Sequence, residues 1–238
     1  MRAAVVAVVA VLAARPRHAF AQPAAPDWTI APIAGTDFPL DFYAGVQVEA
    51  PNRLRASTTI GFMPRGYVDV IDKVLVGLGA YDQDVANLIE SALASSLVWR
   101  THVGYRPWAS HGFYAMAGYG LVTLGGGATA SELITAATGK QLPVTDQGAP
   151  RSFDCRSTLH MADVEVGWEW HVDERWLVRA AVGGGFTFAA STSITPQYTP
   201  RDPRATEQLT DYGAGYLDGI YTSYVDTALI TIAGGYTW

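Results

Sequence analysis

The chain of 238 residues is short of cysteine, of charge and of long apolar runs, and each shortage excludes a class of protein. Cys155 has no second thiol to pair with, so no internal disulfide framework exists. It lies in a polar stretch without the His or acid partners of a reactive nucleophile. Only 16% of residues are Asp, Glu, Lys or Arg, and 22 acids against 16 bases give a net charge of -6. With no recurring basic patch, that balance excludes a nucleic-acid binder. The apolar run Ala3 to Ala14 falls short of the roughly 20 residues that a membrane-spanning helix needs.

That run has another reading. Arg2 supplies a positive start, Ala3 to Ala14 an apolar stretch, and Ala19-Phe20-Ala21 a small-x-small cleavage site before Gln22. Residues 1–21 are therefore expected to be a secretory signal, with a retained anchor as the alternative, and residues 22–238 the mature domain. No Cys near the site offers a lipid attachment point.

Plentiful in the chain are glycine (24), tyrosine (12) and tryptophan (7), together with period-two alternation. From His160 to Ala190, Ala162, Val164, Val166, Trp168, Trp170 and Val172 alternate with Asp163, Glu165, Glu169 and His171. A turn at 173–175 follows, then Trp176, Val178, Ala180, Val182, Phe186 and Phe188 alternate with Arg179 and small residues. Successive side chains of a strand point to opposite faces, so this is a sheet with one apolar and one charged side. Each arm is long enough to cross a bilayer when tilted.

The same pattern recurs along the chain. Leu40, Phe42, Ala44, Val46 and Val48 alternate with Asp41 and Glu49; after Pro51-Asn52, Leu54, Ala56, Ile60 and Phe62 alternate with Arg55. Leu97 to Tyr105 sets Trp99, Val103 and Tyr105 against Arg100, His102 and Arg106. Phe113 to Thr123 is a further strand, with Gly125–Gly127 expected to end it, and Ala228 to Trp238 is the last. Between hairpins lie long inserts. Residues 67–95 have the three-four spacing of two short helices, Ala128 to Gly139 of a third, and Ala205 to about Tyr224 of a fourth. Residues 140–155 read as irregular loop, and the insert from Ser191 opens as a Pro-broken one.

Seven strands are clear, and short turns alternate with long loops, as in an outer-membrane barrel. Such a barrel needs an even count. The expected eighth strand is Trp28 to Ile33, with Ala34 to Pro39 as the first external loop. The expectation is thus an all-β, antiparallel, up-and-down transmembrane barrel of eight strands with short helices in its long loops.

With those strands in view, the chain resembles the small eight-stranded bacterial outer-membrane barrel proteins, the class that includes the outer-membrane protein A barrel domain. The ending Ile230-Thr231-Ile232-Ala233-Gly234-Gly235-Tyr236-Thr237-Trp238 is similar to the terminal signal, usually ending in Phe, read by the barrel-assembly machinery. The resemblance implies Tyr236 and Trp238 as that assembly signal, outer-membrane lipid and the assembly machinery as partners, and export through the periplasm. Lipid A deacylases of this class use a His, a Ser two residues on and a Glu. No His-x-Ser occurs here, and no Ser, His and Asn cluster locally as in a phospholipase.

Inward positions carry Asp41, Glu49, Arg55, Arg100, His102, Arg106, Asp163, Glu165, Glu169, His171 and Arg179. Eight strands enclose a space that side chains fill, and buried charges must pair. A plugged lumen of ion pairs is expected, with a narrow conduit or small-solute cavity as the alternative. Asp163, Glu165 and Glu169 share a face at spacings that favour pairing with arginines over a shared metal ion. No catalytic, cofactor or metal site is expected. The function expected is structural or surface-interacting, against transport or solute binding; a lipocalin-like soluble core is disfavoured, because so many inward charges leave no apolar interior.

Overall fold

The computed structural model describes residues 28–63, 96–108, 110–129, 152–172, 175–200 and 202–237. The expected signal at 1–21, the helices expected at 67–95 and Trp238 lie outside the described residues, as does all but the start of the helix expected at 128–139, where residues 128 and 129 belong to a strand instead. Eight antiparallel strands, each paired with its sequence neighbours, close into a barrel as β1 meets β8. They are β1 (Thr29–Phe38), β2 (Asp41–Glu49), β3 (Leu54–Phe62), β4 (Leu97–Tyr105), β5 (Phe113–Thr129), β6 (Ser152–His171), β7 (Trp176–Pro196) and β8 (Asp226–Tyr236). One helix, α1 (Pro203–Tyr224), lies between β7 and β8.

Below the mouth, β2 to β8 keep their expected phase, with acids, arginines and small residues inward beside Tyr43, Tyr114, Met116 and Leu177, and most large apolar residues outward. Outward positions carry no charged side chain on β1 to β4, on β5 as far as Thr123, on β6 from Ala162, on β7 as far as Phe188, or on β8 from Ala228. Ile232 is 58% exposed and Phe188 61%, which a water-facing wall would not favour. Five strands have the roughly 9–11 residues that a tilted membrane strand needs.

Four expected boundaries move. β1 runs on through Ala34–Asp37 to Phe38, so the expected first external loop is strand, followed by a tight turn in which Leu40 N donates to Asp37 O at 2.5 Å. Pairing with β2 on one side and β8 on the other holds this weakly patterned segment extended. The three glycines 125–127 do not end β5; they pair with Arg156, Cys155 and Asp154 of β6, which starts at Ser152 instead of within a loop. β7 continues to Pro196, beyond the expected break at Ser191. Leu40, expected outward with Phe42, sits at the turn and packs over the mouth against Val98, Val122, Leu159 and Met161.

β5, β6 and β7 therefore rise as a ribbon above the closed ring. Thr187 pairs with Met161 and Ala189 with His160, so Phe188 is an extra residue, a bulge. The bulge reverses the phase of β7 and turns Ala190 onto the mouth cluster. α1 begins with Asp202 accepting from Ala205 N at 3.1 Å and Pro203 in its first turn, a start signal two residues ahead of the expected one. It packs on β7 through Gly213, where a Cβ would lie 3.1 Å from Ile194 Cδ1, and its end sets Tyr221 and Val225 on the mouth cluster.

Inside, Gly167 makes room for a ring. A Cβ there would lie 2.6 Å from both Tyr114 Oη and the Ala181 side chain. Gly167→Val is expected to abolish the folded, heat-modifiable form on a gel, whereas Gly215→Ala in α1, with nothing within 4 Å, leaves that form intact.

Candidate functional site

The inward face builds a lumen crossed by ion pairs at successive heights. At the rim of tight turns, Glu49 of β2, Arg55 of β3, Arg106 after β4 and Glu169 of β6 converge. Arg106 Nη2 lies 2.7 Å from Glu169 Oε1 and 3.0 Å from Glu49 Oε2. Arg55 reaches Glu49 through Nε at 3.4 Å and donates from Nη2 to Glu169, which also accepts from Gln47 Nε2 at 3.1 Å. Two acids and two arginines balance.

At mid-height the Tyr114 ring lies between two cations, 4.5 Å from Arg55 Cζ and 5.7 Å from Arg179 Cζ. Arg179 stands 3.9 Å from Glu165 and donates to Gln47 Oε1 at 3.3 Å and Tyr43 Oη at 3.2 Å. Beside this layer Ala31, Ile33, Tyr43, Leu177 and Ala233 form a buried apolar cluster.

Nearer the mouth, Arg100 of β4 donates through Nε to Asp163 Oδ2 at 2.9 Å and through Nη1 to Asp37. His102 Nε2 lies 3.4 Å from the same Asp163 oxygen, and Thr231 donates to Asp37 at 2.5 Å and Glu165 at 3.5 Å. Asp41 is 1% exposed, and among the described residues neither of its carboxylate oxygens has a hydrogen-bond partner. Among the described residues six carboxylates, those of Asp37, Asp41, Glu49, Asp163, Glu165 and Glu169, thus face four arginines, with the surplus gathered around Arg100. Among the described residues no three His, Cys, Asp or Glu side chains converge to hold a metal ion.

Of the eleven inward positions expected from sequence, Glu49 and His171 are half-buried and the other nine are buried inside the barrel; Asp163, Glu165 and Glu169 meet Arg100, Arg179 and the Arg55–Arg106 pair respectively. Asp37 was missed, because Ala34–Pro39 reads as loop; its phase with Ala31 and Ile33 is the signal that would have found it. The uncharged lumen partners Gln47, Tyr43, Tyr114 and Thr231 share the phase of the inward charges, but nothing in their type marks them as partners of the ion pairs. Tyr236 closes β8 with its ring 5.2 Å from that of Trp176.

Two groups elsewhere invite a chemical reading. Ser110 and His111, which strand geometry would point apart, sit in a turn with Ser110 Oγ 2.9 Å from His111 Nδ1. No carboxylate pairs with His111 among the described residues, so the pair lacks the acid that orients a catalytic base. Cys155 lies on the ribbon beyond the closed ring, where burial, and then the Asp154 carboxylate, push its thiol up to about 11.

Removing the Glu169 carboxylate takes from Arg55 and Arg106 one of the two acids they share. Glu169→Gln is expected to cost about 3–5 kcal/mol in urea unfolding of the detergent-solubilised barrel. Asp41→Asn removes a carboxylate that has no hydrogen-bond partner among the described residues and is expected to leave that midpoint unchanged or raised. At Cys155 the thiol is protonated below its shifted value, so alkylation by iodoacetamide at pH 8 is expected about a hundredfold slower than for a free cysteine, rising up to about pH 11.

Among solved structures, the chain is similar in fold to the N-terminal β-barrel domain of Pseudomonas aeruginosa OprF, with 8% identity, TM-score 0.38, and 89% of this chain and 96% of that one covered. A major outer membrane protein from Thermus thermophilus matches at 12% identity and TM-score 0.46, over 89% of this chain and 99% of that one. Acinetobacter baumannii CarO matches at 11% identity and TM-score 0.41, over 88% and 97%. No protein-family model and no curated protein sequence matches the chain.

Proposed function

We propose that the protein is a non-enzymatic outer-membrane barrel whose lumen is closed and whose β5–β7 ribbon and α1 are displayed at the cell surface for structural or surface-interaction roles. The carrying observation is the ion-paired lumen. Arg55, Arg106, Glu49 and Glu169 link four strands across the barrel, and Tyr114 fills the space above them.

The membrane setting is supported by the uncharged outer wall and by its aromatics. Trp108, Phe113 and Trp168 cluster at the rim of tight turns, with ring centroids 5.6 and 6.0 Å apart, and Trp176 and Tyr236 pack edge to face on the same rim. Towards the other rim Tyr119 sits 6.1 Å from Trp99 and 6.4 Å from Phe188. Two such rings match the girdles that flank the apolar band of outer-membrane barrels. The rim of tight turns and chain ends is then periplasmic, and the ribbon external.

The surplus of carboxylates around Arg100 favours a second reading, a narrow cation-selective conduit. Planar bilayers decide between them. The purified barrel is expected to give no conductance steps; cation-selective steps whose selectivity falls in Asp41→Asn would replace the closed barrel with the conduit. Recovery of the full chain as a soluble periplasmic protein would overturn both.

A further inference from the structure

A groove of about 880 Å³ runs along the outer wall at the rim of tight turns. Its origin is side-chain size. In the register of β3, β4 and β5, Ala56 pairs with Val103 and Val103 with Ala117, while Leu54 pairs with Tyr105 and Tyr105 with Ala115. The three alanines sink the floor between Leu54, Val103 and Tyr105, and Trp28, 68% exposed, stands over the rim end.

At that end the turn between β2 and β3 presents a cation. Arg53, at φ 69°, lies with its guanidinium 5.4 Å from the centroid of the Tyr105 ring, a wall of the groove. Nη1 donates to Pro107 O at 2.8 Å, and no carboxylate pairs with Arg53 among the described residues. A guanidinium has five N–H donors in a fork that fits a phosphate, and among the described residues only the bond to Pro107 O is donated from that of Arg53. An apolar trough in the membrane-facing wall, ending among aromatics at an arginine that no carboxylate of the described residues neutralises, matches an amphiphile with an apolar tail and an anionic head.

We propose that the groove over Ala56, Ala115 and Ala117 holds an acyl chain of a glycerophospholipid whose phosphate is bound by Arg53. This rests on the membrane reading above, which puts this rim at the periplasmic leaflet. A second copy is the poorer occupant. The membrane holds both copies the same way up, so a two-fold contact through this groove brings the two Arg53 rims together as like charges.

The test is native mass spectrometry of the whole barrel released in mild nonionic detergent and titrated with phosphatidylglycerol and phosphatidylethanolamine. Retention of one phospholipid is expected. Ala117→Phe, which fills the trough, and Arg53→Asn, which removes the charge where Asn tolerates positive φ, are each expected to lower occupancy about tenfold, the worth of one charge-assisted hydrogen bond. Ala180→Phe, outside the groove on β7, is expected to retain the lipid. Heat-modifiability of each variant establishes that it is folded, and Arg53→Asn carries the test if Ala117→Phe does not fold. A folded membrane barrel that retains no phospholipid, or retains it equally in both groove variants, overturns the lipid site alone; so does a dimer that Ala117→Phe dissolves. Absence of the chain from the membrane fraction would overturn the membrane reading itself.

Discussion

Hydrocarbon offers the backbone no hydrogen-bond partner, so a sheet immersed in it must close on itself. Closure at eight strands leaves an interior only wide enough for side chains. Whatever points inward is then both buried and crowded, and in this chain it includes six carboxylates and four arginines. The arrangement of these groups into Glu49–Arg55–Glu169–Arg106, Glu165–Arg179 and Asp37–Arg100–Asp163 follows from that confinement. Each arginine supplies several donors in a plane, which lets one cation serve acids from two strands at once.

The two faces of the wall answer to opposite demands. Outward positions must shed charge, and inward positions must gather it in matched sets. Period-two alternation satisfies both, because a strand cannot turn one side chain in without turning the next one out. At the mouth the demand changes again: Val98, Val122, Leu159 and Met161, capped by Leu40, Tyr221 and Val225, replace ion pairs by apolar packing. The bulge at Phe188 marks that change, since β7 needs one extra residue to swing Ala190 from the barrel wall onto the cap.

The alternation that the wall requires is what made the wall legible. Asp163, Glu165, Glu169 and Arg179 alternate with Trp and Val so regularly that their face can be read without coordinates, and so can those of Arg55, Arg100 and Arg106. Strand ends were less legible. Ala34–Asp37 and Gly125–Gly127 have small or polar residues where the pattern should show, and they are held extended by pairing partners far away in the chain. Local propensity contains no trace of those partners. Asp37 was lost with its segment. The pairing of particular acids with particular arginines was also beyond reach in detail, because it depends on the stagger between strands, which alternation does not encode. The groove over Ala56, Ala115 and Ala117 depends on the same stagger: three alanines spread over two strands become one trough only when the register sets them side by side.

The seam between β1 and β8 has a consequence for how such a molecule comes into being. Thr231 donates to Asp37 across 194 residues of chain, and the same hydroxyl reaches Glu165, so the seam and the charged interior are tied by one atom. No partial chain emerging from synthesis can make that contact. Until the final strand arrives, β1 has a bare edge and Asp37 lacks one of its donors, so every shorter product is an open ribbon with an acid-lined inner side. The closed wall, and with it the contact between Thr231 and Asp37, exists only once β8 has paired with β1, so closure is the step of highest sequence separation in the fold.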